Sequence, residues 1–375
     1  LASAAAAYNA LLATDRWRAV LRGQAIEARR EDRAAGFDPF TGVLGEPALV
    51  EHVAQRLGPD RVWSASQFND YGLCPFRFFA GRLLGLEELA EPEEGLDVRQ
   101  LGSVYHAILE RAYRRLAAEG LGFAPDNTDR ALAILGEEAA EVFASAPETF
   151  AFRPGPVWQH EQENMLHRLT WLVRQDFEGT GPFKPGGRSA IAKLGAAGSR
   201  RALVHEAAFG FGGQPPLRIE GPAGTLRARG KIDRIDVVGQ HAIVIDYKTG
   251  STRRSASDMA AGIDFQMLIY LLAAQDVVAQ IDGGLSVAGG VFWHITNRDS
   301  SGEVATQDGE IAQAQAHLHA HVLAAREGRF PVQPRKLDGG KCVSYCEFGP
   351  LCRVSRAYRQ KPGADDEPQP GEEPA

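Results

Sequence analysis

Apolar residues recur at Leu101, Val104, Tyr105, Ile108, Leu109, Ala112, Tyr113 and Leu116, the three-and-four spacing that lines one face of an α-helix. Comparable patterns predict helices over 129–145, 158–178, 257–280 and 308–327, with a Gly/Pro-rich connection at 179–187. Between them the period changes. Residues 203–250 carry β-branched, alternating runs that read as a β-meander, and 286–296 reads as a further strand. Gly239-Gln240 separates two such runs and predicts a hairpin turn, with Val238 facing His241. At Ser64-Ala65-Ser66-Gln67 a helix cap opens an amphipathic segment that leads into the bulky cluster Cys74-Pro75-Phe76-Arg77-Phe78-Phe79. The expected fold class is α/β in the α+β sense, a small mixed β-sheet flanked by helices. Residues 1 to about 60 hold helical patterns around 8–12 and 48–53, and read as a lead-in from something upstream.

With 375 residues the chain is long enough for one large or two moderate domains. It has no run of about 18 apolar residues, so no membrane span is expected. The start, Leu1-Ala2-Ser3-Ala4, lacks a basic n-region and an initiator methionine; we read it as an internal cut and expect a soluble, cytoplasmic protein. The formal charge of −7 argues against a polyanion partner until the end of the chain is set aside: residues 362–375 carry five acids and no base, leaving about −2 for the rest. That Pro-, Gly- and acid-rich tail, 359–375, reads as disordered. Of the 41 basic residues only seven are lysines. Arginine suits bidentate phosphate contacts, and an arginine-favouring codon bias gives the same excess.

Extending the hairpin register places Asp233 opposite Asp246, with Cβ atoms about 5 Å apart. Like charges so placed repel unless a cation lies between them, and Mg²⁺ (or Mn²⁺) takes one or two carboxylates together with water and phosphate oxygens. Lys248 shares the face of Asp246 because strand side chains alternate. Two carboxylates and an ammonium read as a metal-dependent phosphodiesterase centre, in which the carboxylates hold a cation that activates water and the lysine offsets developing charge. We read the lysine's role as electrostatic and not as general base. A solvated hairpin with a surface ion pair has the same spacing.

The four cysteines are Cys74 and the late group Cys342, Cys346 and Cys352. Three thiols within one short stretch point to metal ligation, by Zn²⁺ or an iron-sulfur cluster, ahead of two disulfides or four free buried thiols. Such a site would staple the two ends of the chain together. The chain contains no Gly-x-x-x-x-Gly-Lys-Ser/Thr loop, so it carries no ATP-driven motor of that type.

The succession Ser66…Tyr71-Gly72-Leu73-Cys74-Pro75-Phe76-Arg77-Phe78-Phe79, Leu101-Gly102-Ser103-Val104-Tyr105-His106, Gly230-Lys231-Ile232-Asp233-Arg234-Ile235-Asp236, Ile245-Asp246-Tyr247-Lys248-Thr249-Gly250, Gln266…Tyr270 and the late cysteines resembles the RecB-type nuclease domain of the PD-(D/E)XK superfamily. Its nearest form is the iron-sulfur one at the C-terminus of AddB. The resemblance spans roughly 64–358, leaving 1–63 as the lead-in, and implies a restriction-endonuclease-like core. It implies that His106, Asp233, Asp246 and the Tyr247 carbonyl bind metal and that Lys248 is the catalytic lysine. Gln266 and Tyr270, four apart on one helix face, would support that lysine and contact the DNA backbone. Glu206 matches an acidic position on the first sheet strand. A 4Fe-4S cluster on Cys74, Cys342, Cys346 and Cys352 is implied over Zn²⁺, in a structural role near a DNA-end-binding region. One departure stands out: Val343-Ser344-Tyr345 occupies a gap where the family commonly has two residues. The implied activity is hydrolysis of single-stranded DNA, of exonuclease type, in processing of double-strand breaks, with a helicase region upstream or an AddA-like helicase-nuclease as partner. A CRISPR-associated adaptation nuclease shares the core, but the lead-in and the long insertion between His106 and Glu206 argue against it. A catalytically silent DNA-binding scaffold is disfavoured because Asp233, Asp246 and Lys248 are all present.

Overall fold

The computed structural model describes residues 4–353, except 5, 8, 11–13, 33, 89–94, 197–199, 339–340 and 344–345; the expected acidic tail and Ser344-Tyr345 lie outside the described residues. In chain order the elements are α1 (Asp15–Glu31), α2 (Pro47–Arg56), β1 (Val62–Ser64), α3 (Ala65–Leu73), α4 (Pro75–Phe78), α5 (Val98–Ala118), α6 (Thr128–Thr149), α7 (Trp158–Phe177), α8 (Ala190–Ala196), β2 (Arg200–Phe209), β3 (Leu217–Ile219), β4 (Leu226–Val238), β5 (His241–Lys248), α9 (Ala256–Ala260), α10 (Gln266–Ile281), β6 (Ser286–His294), β7 (Asp299–Ala305), α11 (Gly309–Arg326), β8 (Leu337–Asp338), β9 (Lys341–Cys342) and α12 (Gly349–Cys352). They fall into two compact units, one of residues 59–69 and 89–320, the other of residues 1–58, 70–88 and 321–375.

The first unit holds a seven-stranded mixed sheet organised around β4. This strand is long enough to serve different neighbours at its two ends: its first half pairs with β1 (parallel) and β3 (antiparallel), its second half with β2 and β5 (both antiparallel). β5 then pairs with β6 in parallel, which needs a crossover, and α9 and α10 supply it. β7 closes the far edge antiparallel to β6. The predicted helix over 257–280 is two helices. Gly262, at φ +69°, ends the first, and the carboxylate of Asp264 accepts the backbone N–H of Gln266 at the start of the second (3.1 Å).

The core of this unit is the apolar face foreseen on α5, packed with α6, α7 and the sheet residues Ile243, Ile245, Tyr247, Val291 and Trp293. Asp97 and Gln100 form a reciprocal capping box at the start of α5 (2.7 and 2.8 Å), fixing where that face begins. No helix among the described residues is long and apolar enough to cross a membrane.

In the second unit the segment after α3 is tied to the chain's later part by backbone bonds, Phe76 N–H to Pro331 O (3.2 Å) and Arg335 N–H to Leu73 O (2.9 Å). Tyr71 donates to Arg329 O (2.8 Å), and Phe330 stacks on Phe79 with ring centroids 5.0 Å apart. From α1, the Arg30 guanidinium donates to Cys352 O (2.9 Å).

Ile243 is wholly buried in β5. Ile243→Ala should cost about 2–5 kcal/mol, read as a lower denaturant midpoint with an unchanged slope in an equilibrium unfolding curve.

Candidate active site

The β4–β5 hairpin has the register read from the sequence, from Val238–His241 up to Arg234–Ile245. There the ladder stops. The next residues, Asp233 and Asp246, do not stand as a paired rung as expected; instead Asp233 Oδ2 accepts the backbone N–H of Tyr247 at 2.7 Å. A carboxylate has taken the place of a ladder carbonyl, so the strands splay where the two acids lie.

A second irregularity brings residues from both sides of the sheet to that point. On β2, His205 stacks on Tyr113 of α5 (5.2 Å), whereas Phe209 meets Tyr270 of α10 edge-on (6.3 Å). Strand alternation would put these two positions on one face. On β4 likewise, Arg234 lies 5.0 Å from the Tyr113 ring, while a Cβ at Gly230 would come within 3.1 Å of Tyr270. Both strands therefore swap faces at Glu206 and Asp233, and Glu206 carries the swap with φ +54°. A non-glycine residue held there stores strain on the order of 1 kcal/mol or more, of the kind that gathers at functional sites.

The swap lets His106 reach in from α5. Its Nδ1 is 3.3 Å from Asp233 and 3.5 Å from Glu206, and donor atoms of these three residues all lie within 4.8 Å of one another. Lys231 forms an ion pair with Glu206. From the other side, Lys248 Nζ sits 2.6 Å from Asp246 Oδ2 and donates to Gln266 Oε1 at 2.8 Å. Gln266 in turn donates to Asp246 Oδ1 (2.8 Å) and to the Tyr270 hydroxyl (3.2 Å). One amide thus orients both the carboxylate and the ammonium. The start of α10 is itself pinned by Asn69, which donates to Asp264 (3.0 Å) and accepts from Phe265 N–H (2.7 Å). His106, Glu206, Asp233, Asp246, Tyr247, Lys248, Gln266 and Tyr270 are accordingly gathered around one point of the sheet, at the middle of β4 and the end of β5.

Burial raises the Asp246 carboxyl to about 6 against the pull of Lys248, and the charge of Asp233 adds to the rise. Burial would lower His106, but the carboxylates of Asp233 and Glu206 prevail and raise it to about 10. A set of donors that carries excess protons in this way is one a cation can discharge.

A profile for the PD-(D/E)XK nuclease superfamily matches residues 62–353. The chain belongs to that superfamily. It is also similar to proteins named as a subunit of an ATP-dependent helicase/deoxyribonuclease: 30% identical over 66% of this chain to that of Moorella thermoacetica and 29% over 76% to that of Lacticaseibacillus casei, covering 20% and 23% of those proteins. The relative from Symbiobacterium thermophilum is 27% identical over 69% of the chain and 22% of its own length. The chain thus spans about a fifth of the length of these relatives.

Beneath the site this PD-(D/E)XK domain holds a buried charge network that the sequence pattern did not suggest. Arg234, fully enclosed, donates to both Asp176 oxygens (2.7 and 3.1 Å), to Asp236 (2.9 Å) and to the Tyr247 hydroxyl (2.7 Å). Arg200 bonds Asp176 (2.5 Å) and Asp236, and Tyr113 also donates to Asp176. At Asp176 burial opposes ionisation, yet the two guanidiniums hold the carboxyl below its usual range; at Asp236 burial prevails and the carboxyl sits above it. The signal lay in the position of these charges: Arg234 and Asp236, with Asp233, interrupt a strand half whose other residues are apolar and which is entirely buried.

In the other unit, none of the four cysteines forms a disulfide among the described residues. Burial pushes the Cys74 thiol up to about 11, with a contribution from Cys346. Cys342 is raised mainly by burial and is also influenced by Cys346 and Cys352, so the sulfurs sense one another. The Arg77 guanidinium, which Asp70 holds at 2.8 Å, also bonds Cys346.

Asp176→Asn leaves two buried guanidiniums short of a counter-charge and should cost about 3–5 kcal/mol, measured by denaturant unfolding. The metal effect should depend on pH. An Asp246 raised to about 6 favours the metal-free fold below its unfolded value near 3.9 and loses that contribution as pH rises through 6. His106 must also shed a proton to ligate. Added Mn²⁺ should therefore raise the melting temperature little at about pH 5 and clearly at about pH 7.5; an equal shift at both would contradict a site built on these two groups.

Proposed function

We propose that the chain is the nuclease module of a helicase-nuclease, hydrolysing phosphodiesters of single-stranded DNA ends with Mg²⁺ or Mn²⁺ in the cytoplasm, as an exonuclease that takes part in processing double-strand breaks. The observation that carries this reading is the convergence of Asp233, Glu206 and His106 with the Asp246–Lys248–Gln266 group where β4 and β5 splay. The names of the relatives support a DNA substrate and an AddA-like partner that supplies the motor.

His106, Glu206, Asp233, Asp246 and the Tyr247 carbonyl form a hard-oxygen and imidazole donor set that suits such a cation. When bound, the cation supplies polarisation of the phosphate and a more acidic water. Lys248 stands beside this set, fixed by Asp246 and Gln266 and lying over the Phe292 ring (5.3 Å), and offers a preorganised positive charge to the reacting phosphate. Tyr270, buried and joined to Gln266, holds the amide in the orientation that serves both partners.

Cys74, Cys342, Cys346 and Cys352 fit a 4Fe-4S cluster by their chemistry: four unbridged thiols in one compact unit that sense one another, with an arginine bonded to Cys346. The cluster would serve as a structural staple of that unit, and Zn²⁺ is the alternative occupant.

End-labelled single-stranded DNA should be degraded by anaerobically purified protein with Mg²⁺, and not with EDTA or by Asp246→Ala. Lys248→Ala should lower the rate about 10²–10³-fold. Folded, iron-loaded protein that leaves the DNA intact would favour the scaffold reading instead.

A further inference from the structure

We infer that the outer side of β4 is a track that lays a single DNA strand toward the candidate active site, with Arg227, Arg229 and Lys231 holding successive phosphates and Phe211 stacking on a base. The inference rests on the nuclease reading above and specifies its substrate path.

Arg227, Arg229 and Lys231 occupy alternate positions of β4, and all three are at least partly exposed between the buried residues Leu226, Ala228 and Ile232. Alternation puts them in one row, with side chains repeating about every 6.8 Å. The row ends at the site: Lys231 is bonded to Glu206 and lies within electrostatic reach of Asp233. The cross-strand neighbours leave it open. Ser64 faces Arg229, Ala208 faces Lys231, and at the far end Arg218 of β3 faces Arg227 and adds a further exposed cation.

Lys231 is engaged by Glu206, but structural duties account for little of the charge of Arg227 and Arg229. Among the described residues Arg227 pairs only with Asp60, at 3.3 Å with the acid 92% exposed, a geometry worth almost nothing in water. Arg229 makes no ion pair among the described residues. A repeat of about 6.8 Å is close to the spacing of neighbouring phosphates along one DNA strand, so successive cations of the row can meet successive phosphates.

The bases of a single strand need a stacking surface, and the turn that abuts the row carries an exposed ring. After β2 the chain turns through Gly210-Phe211-Gly212-Gly213. At Gly210, φ is +74° and an added Cβ would lie 2.5 Å from the Cβ of Arg229, so glycine alone lets this turn press against the arginine. The next residue, Phe211, is 42% exposed. Phosphate-holding cations beside an open aromatic ring form the general grammar of single-strand binding.

The test is fluorescence anisotropy of a labelled oligo(dT) with the 375-residue chain in EDTA, where no cutting occurs, over a range of salt. Phe211→Ala should weaken binding roughly 5- to 100-fold and lose that effect on an abasic strand. Arg229→Ala should weaken binding and shrink the log–log salt slope by about 0.7, the single-strand value for one phosphate contact. Lys193→Ala, on α8 and away from the row, should bind like wild type. Arg229→Gln gives a second, size-matched variant, and melting temperatures confirm folding. Wild-type affinity in both the Arg229 and Phe211 variants, or an equal loss in Lys193→Ala, overturns the track. Cleavage of the same oligonucleotide with Mg²⁺ is scored separately: a strand bound through Arg229 and Phe211 but left uncut would sink the nuclease reading and leave the track standing.

Discussion

The guanidinium of Arg234 lies in the interior of the sheet unit with no exposure, and the arrangement of the site depends on how its charge is met. Four acceptor atoms on Asp176, Asp236 and Tyr247 surround it. Removing a cation from water is very costly, and only near-complete hydrogen bonding with opposite charge offsets that. The consequence is geometric. Asp176 belongs to α7, Asp236 to β4 and Tyr247 to β5, so one charge ties a helix and two strands into a fixed relation directly under Asp233 and Asp246.

Above that anchor the sheet departs from regularity at one point. Regular alternation would keep His106 on one side of the sheet and the Gln266 group on the other. The face swap at Glu206 and Asp233, together with the end of the β4–β5 ladder, opens a gap through which both reach a common centre. Strain at Glu206 and the cost of taking the protons from Asp246 and His106 all sit in that gap. A cation there would relieve the electrostatic part of the cost, which is why an assembly unfavourable by itself is consistent with a working metal centre.

The thiol unit follows the same physical logic on a softer ligand set. Buried thiols lose the option of ionising alone, and shared proximity of Cys346 to Cys74 and Cys342 makes joint deprotonation harder still unless a metal takes the protons' place. The backbone bonds between 73–76 and 331–335 bring the early and late cysteines into one unit.

Local chemistry made much of this protein legible. The apolar spacing from Leu101 to Leu116 determined α5 and its buried face, and the Gly239-Gln240 turn determined the β4–β5 register, because helical and strand periods and two-residue turns are properties of a few adjacent residues. The register also brought Asp233, Asp246 and Lys248 near one another before any tertiary contact was known. What it could not contain was the splay at Asp233, the face swap at Glu206, the break at Gly262 and the partnership of Arg234 with Asp176. Each of these is decided by groups distant in sequence competing for the same buried space and the same hydrogen bonds, and a charge such as Asp236 or Asp176 reads as solvated until the fold shows that no water reaches it.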